Sequence, residues 1–136
     1  MWWWGRTAVI SGFQSPVEQE AFTILLRPPG RAVLCLARGL PQRRRPEWQP
    51  ALAEGRLTIL SPFAAGMKRG TKATAVYRNR FVAALAESVL VAYAHPGSST
   101  AAVAREAVGW GKPVYTLDLA VNGGLMGMGI RPYALT

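Results

Sequence analysis

The residues with the plainest chemistry in this chain are arginines, lysines and hydroxyls, and they fall in three groups. Arg78-Asn79-Arg80 sets two guanidinium groups on either side of an amide. Each guanidinium is a planar fork of donors that fits paired phosphate oxygens, with Asn79 placed to cap or orient the arrangement. His95-Pro96-Gly97-Ser98-Ser99-Thr100 is a run of small and hydroxyl-bearing residues directly ahead of a helical pattern. The first N–H groups of a helix have no partner inside it, so Gly97, Ser98, Ser99 and Thr100 form a candidate anion seat. The third group is basic loop sequence: Arg38, the run Arg43-Arg44-Arg45 with Trp48 close behind, and Lys68 and Lys72. Arginines beside an exposed ring suit a strand of nucleic acid, and a solvated charged loop explains the same run equally well.

Other chemistries find little material. His95 is the only histidine and Cys35 the only cysteine, which excludes a histidine-rich metal site, a cysteine zinc cluster and an intrachain disulfide. Cys35 sits in the apolar run 32–37 and reads as core. Asp118 ends a strand, an address shared by catalytic carboxylates and by ordinary turn caps. No Ser/His/Asp constellation assembles, and the Ser11-Gly12 turn lacks the glycine spacing of a dinucleotide fingerprint. The residues therefore name no metal, no cofactor and no proton-transfer group, which favours binding over turnover.

These groups need elements to hold them. Short apolar runs at 7–10, 32–36, 57–60, 89–92 and 114–117 read as strands, and helical patterns fall between them at about 17–26, 47–53, from about 74, and at 99–108. Ser15 suits an N-cap, Pro16 a first helical position and Glu18 a first turn. Strands alternating with helices predict an α/β fold: one Rossmann-like parallel sheet of about five strands with helices on both faces. Residues 1–136 are expected to form a single domain, with 119–136 a tail, a lid or a subunit contact. The loops 11–16, 37–45, 61–72 and 93–100 all follow strands. In such a sheet they are expected to converge at the carboxyl ends, where ligands gather.

Charge points the same way. Half of the 136 residues are apolar, enough for a real core, while sixteen Lys and Arg against seven Asp and Glu give a formal charge of +9. Residues 1–80 hold thirteen basic and four acidic residues and 81–136 hold three of each, so the first part carries the whole excess. A polyanionic or phosphorylated partner is favoured. No run approaches the length of a membrane helix and the start has no secretion pattern, so a cytoplasmic protein with no membrane contact is expected. Trp2-Trp3-Trp4 suits the cap of a sheet edge or a contact with another subunit, or else marks a misplaced start.

The order of these signals resembles the DNA-processing protein A family, also called Smf, whose central domain is Rossmann-like. Ser11-Gly12-Phe13-Gln14-Ser15-Pro16-Val17-Glu18 matches a family stretch in which Ser-Gly leads through Gly-x-Ala-Arg-Gly-Ile-Asp to a helix, with Ser15 at the arginine position and Glu18 at the acid. Gly39-Leu40 with Pro46, the segment 55–62 and Arg78-Asn79-Arg80 with 81–91 follow in order. Ser98-Ser99-Thr100-Ala101 and 111–115 complete a pattern over most of residues 8–118. The family's upstream strand with its Gly-Ser-Arg turn and its flanking domains have no counterpart, which fits a minimal relative or a chain that starts late.

The resemblance implies a domain that binds single-stranded DNA through a basic pocket, forms a homodimer and assists a recombinase in recombination or DNA uptake. It implies that Gly12, Gln14, Arg78, Arg80, Ser98 and Ser99 lie near bound phosphate. From charge alone, Arg43, Arg44, Arg45, Lys68 and Lys72 are placed to make up for the arginine replaced at Ser15. Two other readings stay open. The Pro-Gly-Ser-Ser-Thr loop is similar to that of the lysine decarboxylase-like phosphoribohydrolases, which cleave base from nucleoside monophosphates. Here Val103 stands where their acid belongs, and Glu106 is one turn further on. The remaining reading is a nucleotide sensor or carrier that uses the same cleft without turnover.

Overall fold

The computed structural model describes residues 7–133, so the Trp2-Trp3-Trp4 expectation lies outside the described residues. The chain divides into two compact units, one ending at Arg78 and the other beginning at Asn79.

The first unit contains β1 (Val9–Ser11), α1 (Pro16–Leu25), β2 (Ala32–Cys35), a 3-10 turn (Pro46–Trp48), α2 (Gln49–Ala53), β3 (Leu57–Leu60) and the start of α3 (Lys72–Leu85). Its sheet has the order β1-β2-β3, parallel throughout, with Val9 opposite Ala32 and Ala32 opposite Leu57. Because side chains alternate across a strand, Ala32, Leu34 and Leu57 share one face. They are buried with Phe13, Leu36, Trp48 and Ala51, and Phe22, Leu25 and Leu26 of α1 pack against them.

The second unit contains the rest of α3, β4 (Val89–Val91), α4 (Ser99–Gly109), β5 (Val114–Thr116), a 3-10 segment (Ala120–Leu125) and β6 (Ile130–Pro132). Its sheet is again parallel, in the order β4-β5-β6. Val91, Val114, Ile130 and Leu125 are buried with Ala101, Val103, Ala104 and Ala107 of α4, whose small side chains let the helix approach the strands closely.

The parallel α/β class expected from the sequence is what the structure shows. The ladders form two sets of three strands, and β6 has no forerunner in the sequence reading. Ile130-Arg131-Pro132 is too short and too polar to announce a strand.

Local chemistry sets the helix starts. Ser15 is extended and its hydroxyl accepts from the Glu18 N–H at 3.3 Å, with Pro16 next; Ser98 does the same for Ala101 at 3.1 Å. The third helix starts at Lys72, two residues before the expected Thr74. The Thr71 N–H donates to Thr74 Oγ1 at 2.7 Å and the Thr74 N–H to Thr71 Oγ1 at 3.1 Å, a reciprocal cap that fixes the first turn.

Candidate nucleic-acid interface

In the first unit the Ser11-Gly12 turn is built on Arg78. The Arg78 side chain is 3% exposed; its Nη1 donates to the Cys35 carbonyl at 3.2 Å and its Nη2 to Gln14 Oε1 at 3.1 Å. The guanidinium lies so close to Gly12 that a Cβ there would overlap its Cζ and Nη1, which is why this position is glycine. Phe13 follows with φ near +50°, a left-handed conformation costing about 1–2 kcal/mol for a residue with a side chain. It is held by stacking on Phe22 at 4.5 Å and by its N–H bond to Ser11 Oγ at 2.9 Å. Glu18 Oε1 accepts from the Ser11 hydroxyl and from the Gln14 N–H, each at 3.2 Å, so this chain's own carboxylate already occupies the start of α1.

Burial lowers the Arg78 pKa, opposed by the Cys35 and Glu18 charges. Burial also pushes the Cys35 thiol up, opposed by Arg78, so Cys35 stays a neutral thiol near pH 7. In this structure the Arg78 fork therefore shapes the turn from below, while Gln14 reaches solvent above it.

Next to the turn is a cavity of about 850 Å³. Phe22, Leu34, Leu36 and Trp48 line its apolar wall, and Gln14, Arg38, Arg45, Glu47 and Thr71 supply polar groups. The Trp48 ring is only 4% exposed and belongs to the core. This corrects the expectation of an exposed ring beside the arginine run: Trp48 packs inward, Arg45 stacks on it with its guanidinium carbon 5.7 Å from the ring centroid, and Arg45 also faces Glu47 at 3.9 Å. Among the described residues of this unit the exposed ring is Tyr77, half exposed and tilted against Phe63 at 5.5 Å.

Two basic loops meet beside that cavity, one after β2 and one after β3. The Ser61 hydroxyl donates to the Arg38 carbonyl at 2.5 Å, and the Gly39 N–H donates to the Met67 carbonyl at 2.7 Å. Gly39 packs against the Ala64 backbone with no room for a Cβ. These bonds hold Arg38 and the Met67-Lys68-Arg69 segment as one surface, which runs into the start of α3 at Lys72. Arg43, Arg44, Lys68, Arg69 and Lys72 are exposed, and none of them, nor Arg38, has an ion pair among the described residues. The first turn of α3 holds no acid, although a helix N-terminus already carries partial positive charge. Lys68, Arg69 and Lys72 surround that end with more positive charge, an arrangement an anion relieves.

In the second unit Gly97 has φ near +83°, Ser98 caps α4, Ser99 is exposed and Thr100 is half-buried. The loop ahead of them is gripped by Asn122, which is fully buried. Its Oδ1 accepts from the Ala94 N–H, and its Nδ2 donates to the Ala92 and Leu117 carbonyls, each at 3.0 Å. A Cβ on Gly124 would collide with Pro96, so the segment 120–125 lies directly against the loop. Arg80 pairs with Glu106 on α4, Nε to Oε2 at 2.8 Å, both about half exposed. Arg78 bonds within the first unit, to Cys35 and Gln14, and Arg80 pairs with α4 in the second. Asn79, between them, is half-buried.

The family described as DNA recombination-mediator protein A matches residues 5–127. The chain belongs to that family. The curated protein Smf from a Synechocystis strain is 32% identical over 115 residues, 80% of this chain and 28% of its own length. Among solved structures, DNA processing protein A from Streptococcus pneumoniae superimposes with a TM-score of 0.68 at 22% identity, covering 92% of this chain and 44% of that one. DNA processing protein A from Helicobacter pylori gives 0.55 at 19% identity, covering 85% and 66%. At these identities the two structures speak for the fold. The chain spans less than a third of the curated relative and less than half of the pneumococcal protein.

For this member of the family, the sequence reading did not single out the residues that hold these segments in place. Asn122, Gly124, Ser61 and the Thr71–Thr74 cap carry no motif, and only their contacts mark them. Among the described residues no group of three or more His, Cys, Asp or Glu is placed to hold a metal ion, and no helix is long and apolar enough to cross a membrane.

Proposed function

We propose that this domain binds single-stranded DNA without turning it over, and that the backbone phosphates run across the surface formed by Arg38, Arg43, Arg44, Lys68, Arg69 and Lys72. The observation that carries this reading is the bonded pair of loops that gathers unpaired cations around the N-terminus of α3. Holding the loops together fixes where their cations stand, and phosphate contacts that set the register of a strand gain from cations fixed in place. Tyr77, in the second turn of α3, supplies an exposed ring where a base can stack. The Arg78 fork keeps Gly12 and Gln14 in place beneath this track. In the second unit Gly97, Ser98, Ser99 and Thr100 offer a phosphate contact at the start of α4, and Asn79 and Arg80 belong to the same unit.

The solved Helicobacter pylori protein is described by its single-stranded DNA binding mode, which supports carrying that ligand to this chain. Action as a homodimer that assists a recombinase belongs to the same proposal and rests on family membership. The test is a side-by-side titration with oligonucleotides of increasing length and with nucleoside monophosphates. Binding is expected to tighten over several nucleotides and to be weak for mononucleotides, with no free base released. Saturable mononucleotide binding that gains nothing from a longer strand would replace this reading with the nucleotide sensor or carrier.

A further inference from the structure

The second unit has few cations to offer a polyanion. Its basic residues are Arg80, Arg105, Lys112 and Arg131, against the acids Glu87, Glu106 and Asp118. Lys112 is committed, since its ammonium donates to the Ala84 and Ala86 carbonyls that end α3. Arg80 is held by Glu106 at 2.8 Å, with side-chain exposures of 49% and 41%. This is a half-exposed pair, accessible to a competing anion and worth little to folding.

Its position is what makes it functional. Glu106 lies seven residues after Ser99, two helical turns, so the two share one face of α4 about 10 Å apart along the axis. The start of that helix carries Ser98 and Ser99 and no acid in its first turn.

We infer that Glu106 is an internal competitor for Arg80, an anionic latch within the second unit that a DNA phosphodiester must displace before Arg80 can bind it. The inference rests on the DNA-binding reading proposed above and adds its regulation. A phosphate that takes Arg80 releases the Glu106 carboxylate to solvent, so every ligand that takes Arg80 binds against the cost of breaking the pair.

The test is fluorescence anisotropy of a labelled oligothymidylate at low salt with wild type, Glu106→Gln, Arg80→Gln, the double variant and Glu87→Gln. Glutamine at 106 keeps an acceptor for the Arg80 N–H and removes only the charge. The single variant is expected to bind about two- to fivefold tighter than wild type, the scale of one exposed ion pair. Its plot of log affinity against log salt should steepen by up to about 0.7, the value of one phosphate contact on a single strand that wild type makes only in part. In the Arg80→Gln background Glu106→Gln should change nothing. Equal binding by wild type and Glu106→Gln overturns the latch and leaves the DNA reading standing. The same gain in the Arg80→Gln background, or from Glu87→Gln, also overturns it, because net charge would then explain the effect. If neither wild type nor Glu106→Gln binds, both inferences fall.

Discussion

At the scale of single residues the turn is controlled from beneath. Arg78 does what a lysine cannot: its flat fork reaches the Cys35 carbonyl and the Gln14 amide oxygen at once and still lies flush against Gly12. Arg78→Lys gives up the fork, and where it leaves the buried Cys35 carbonyl without its donor the cost is about 1–3 kcal/mol. A lower urea midpoint with an unchanged slope is the expected result; an unchanged midpoint would show that the guanidinium does not hold the turn. Arg78 was legible as an important residue from the Arg-Asn-Arg spacing. Its direction was not, because sequence records spacing along a helix and not which neighbour each side chain meets. The same limit hid the burial of Trp48. An aromatic residue after three arginines looks like a surface platform until Leu34, Leu36 and Ala51 are seen packed around it.

Among the elements, legibility followed the strength of local signals. The strands at β2 and β3 and the helix starts at Ser15 and Ser98 read directly, since apolar runs and hydroxyl caps act within a few residues. What the sequence concealed depends on contacts across many residues. The Asn122 amide joins the loop after β4 to the end of β5 through bonds spanning up to 30 positions. Nothing in Leu119-Ala120-Val121-Asn122-Gly123-Gly124 marks that asparagine as different from a surface one. Asn122→Ala strands the Ala94 N–H and two carbonyls, and a loss of about 3 kcal/mol is expected from thermal or urea unfolding. Asn122→Asp should do no better, because a carboxylate can accept from Ala94 but faces the Ala92 and Leu117 carbonyls with an oxygen. If Asn122→Asp matches wild type in stability, the amide is not the clasp described here.

For the whole molecule the governing feature is charge. Through Arg78 the chain carries twelve Lys and Arg against four acids, and beyond it four against three, so a polyanion meets the two units on very different terms. The first unit carries the excess of positive charge, and the second holds Arg80 in a pair with Glu106. This asymmetry was visible in the sequence as a composition shift; the loop bonding that turns composition into a surface was not. The most direct test of the central claim is the salt dependence of single-stranded DNA binding by wild type and by a variant with Arg38, Lys68, Arg69 and Lys72 all changed to alanine. If phosphates run over the joined loops, each cation contributes about 0.7 to the slope, so the variant should lose about 3 from the slope of log affinity against log salt as well as most of its affinity. A variant that binds with the wild-type slope would contradict the account and place the DNA elsewhere on the molecule.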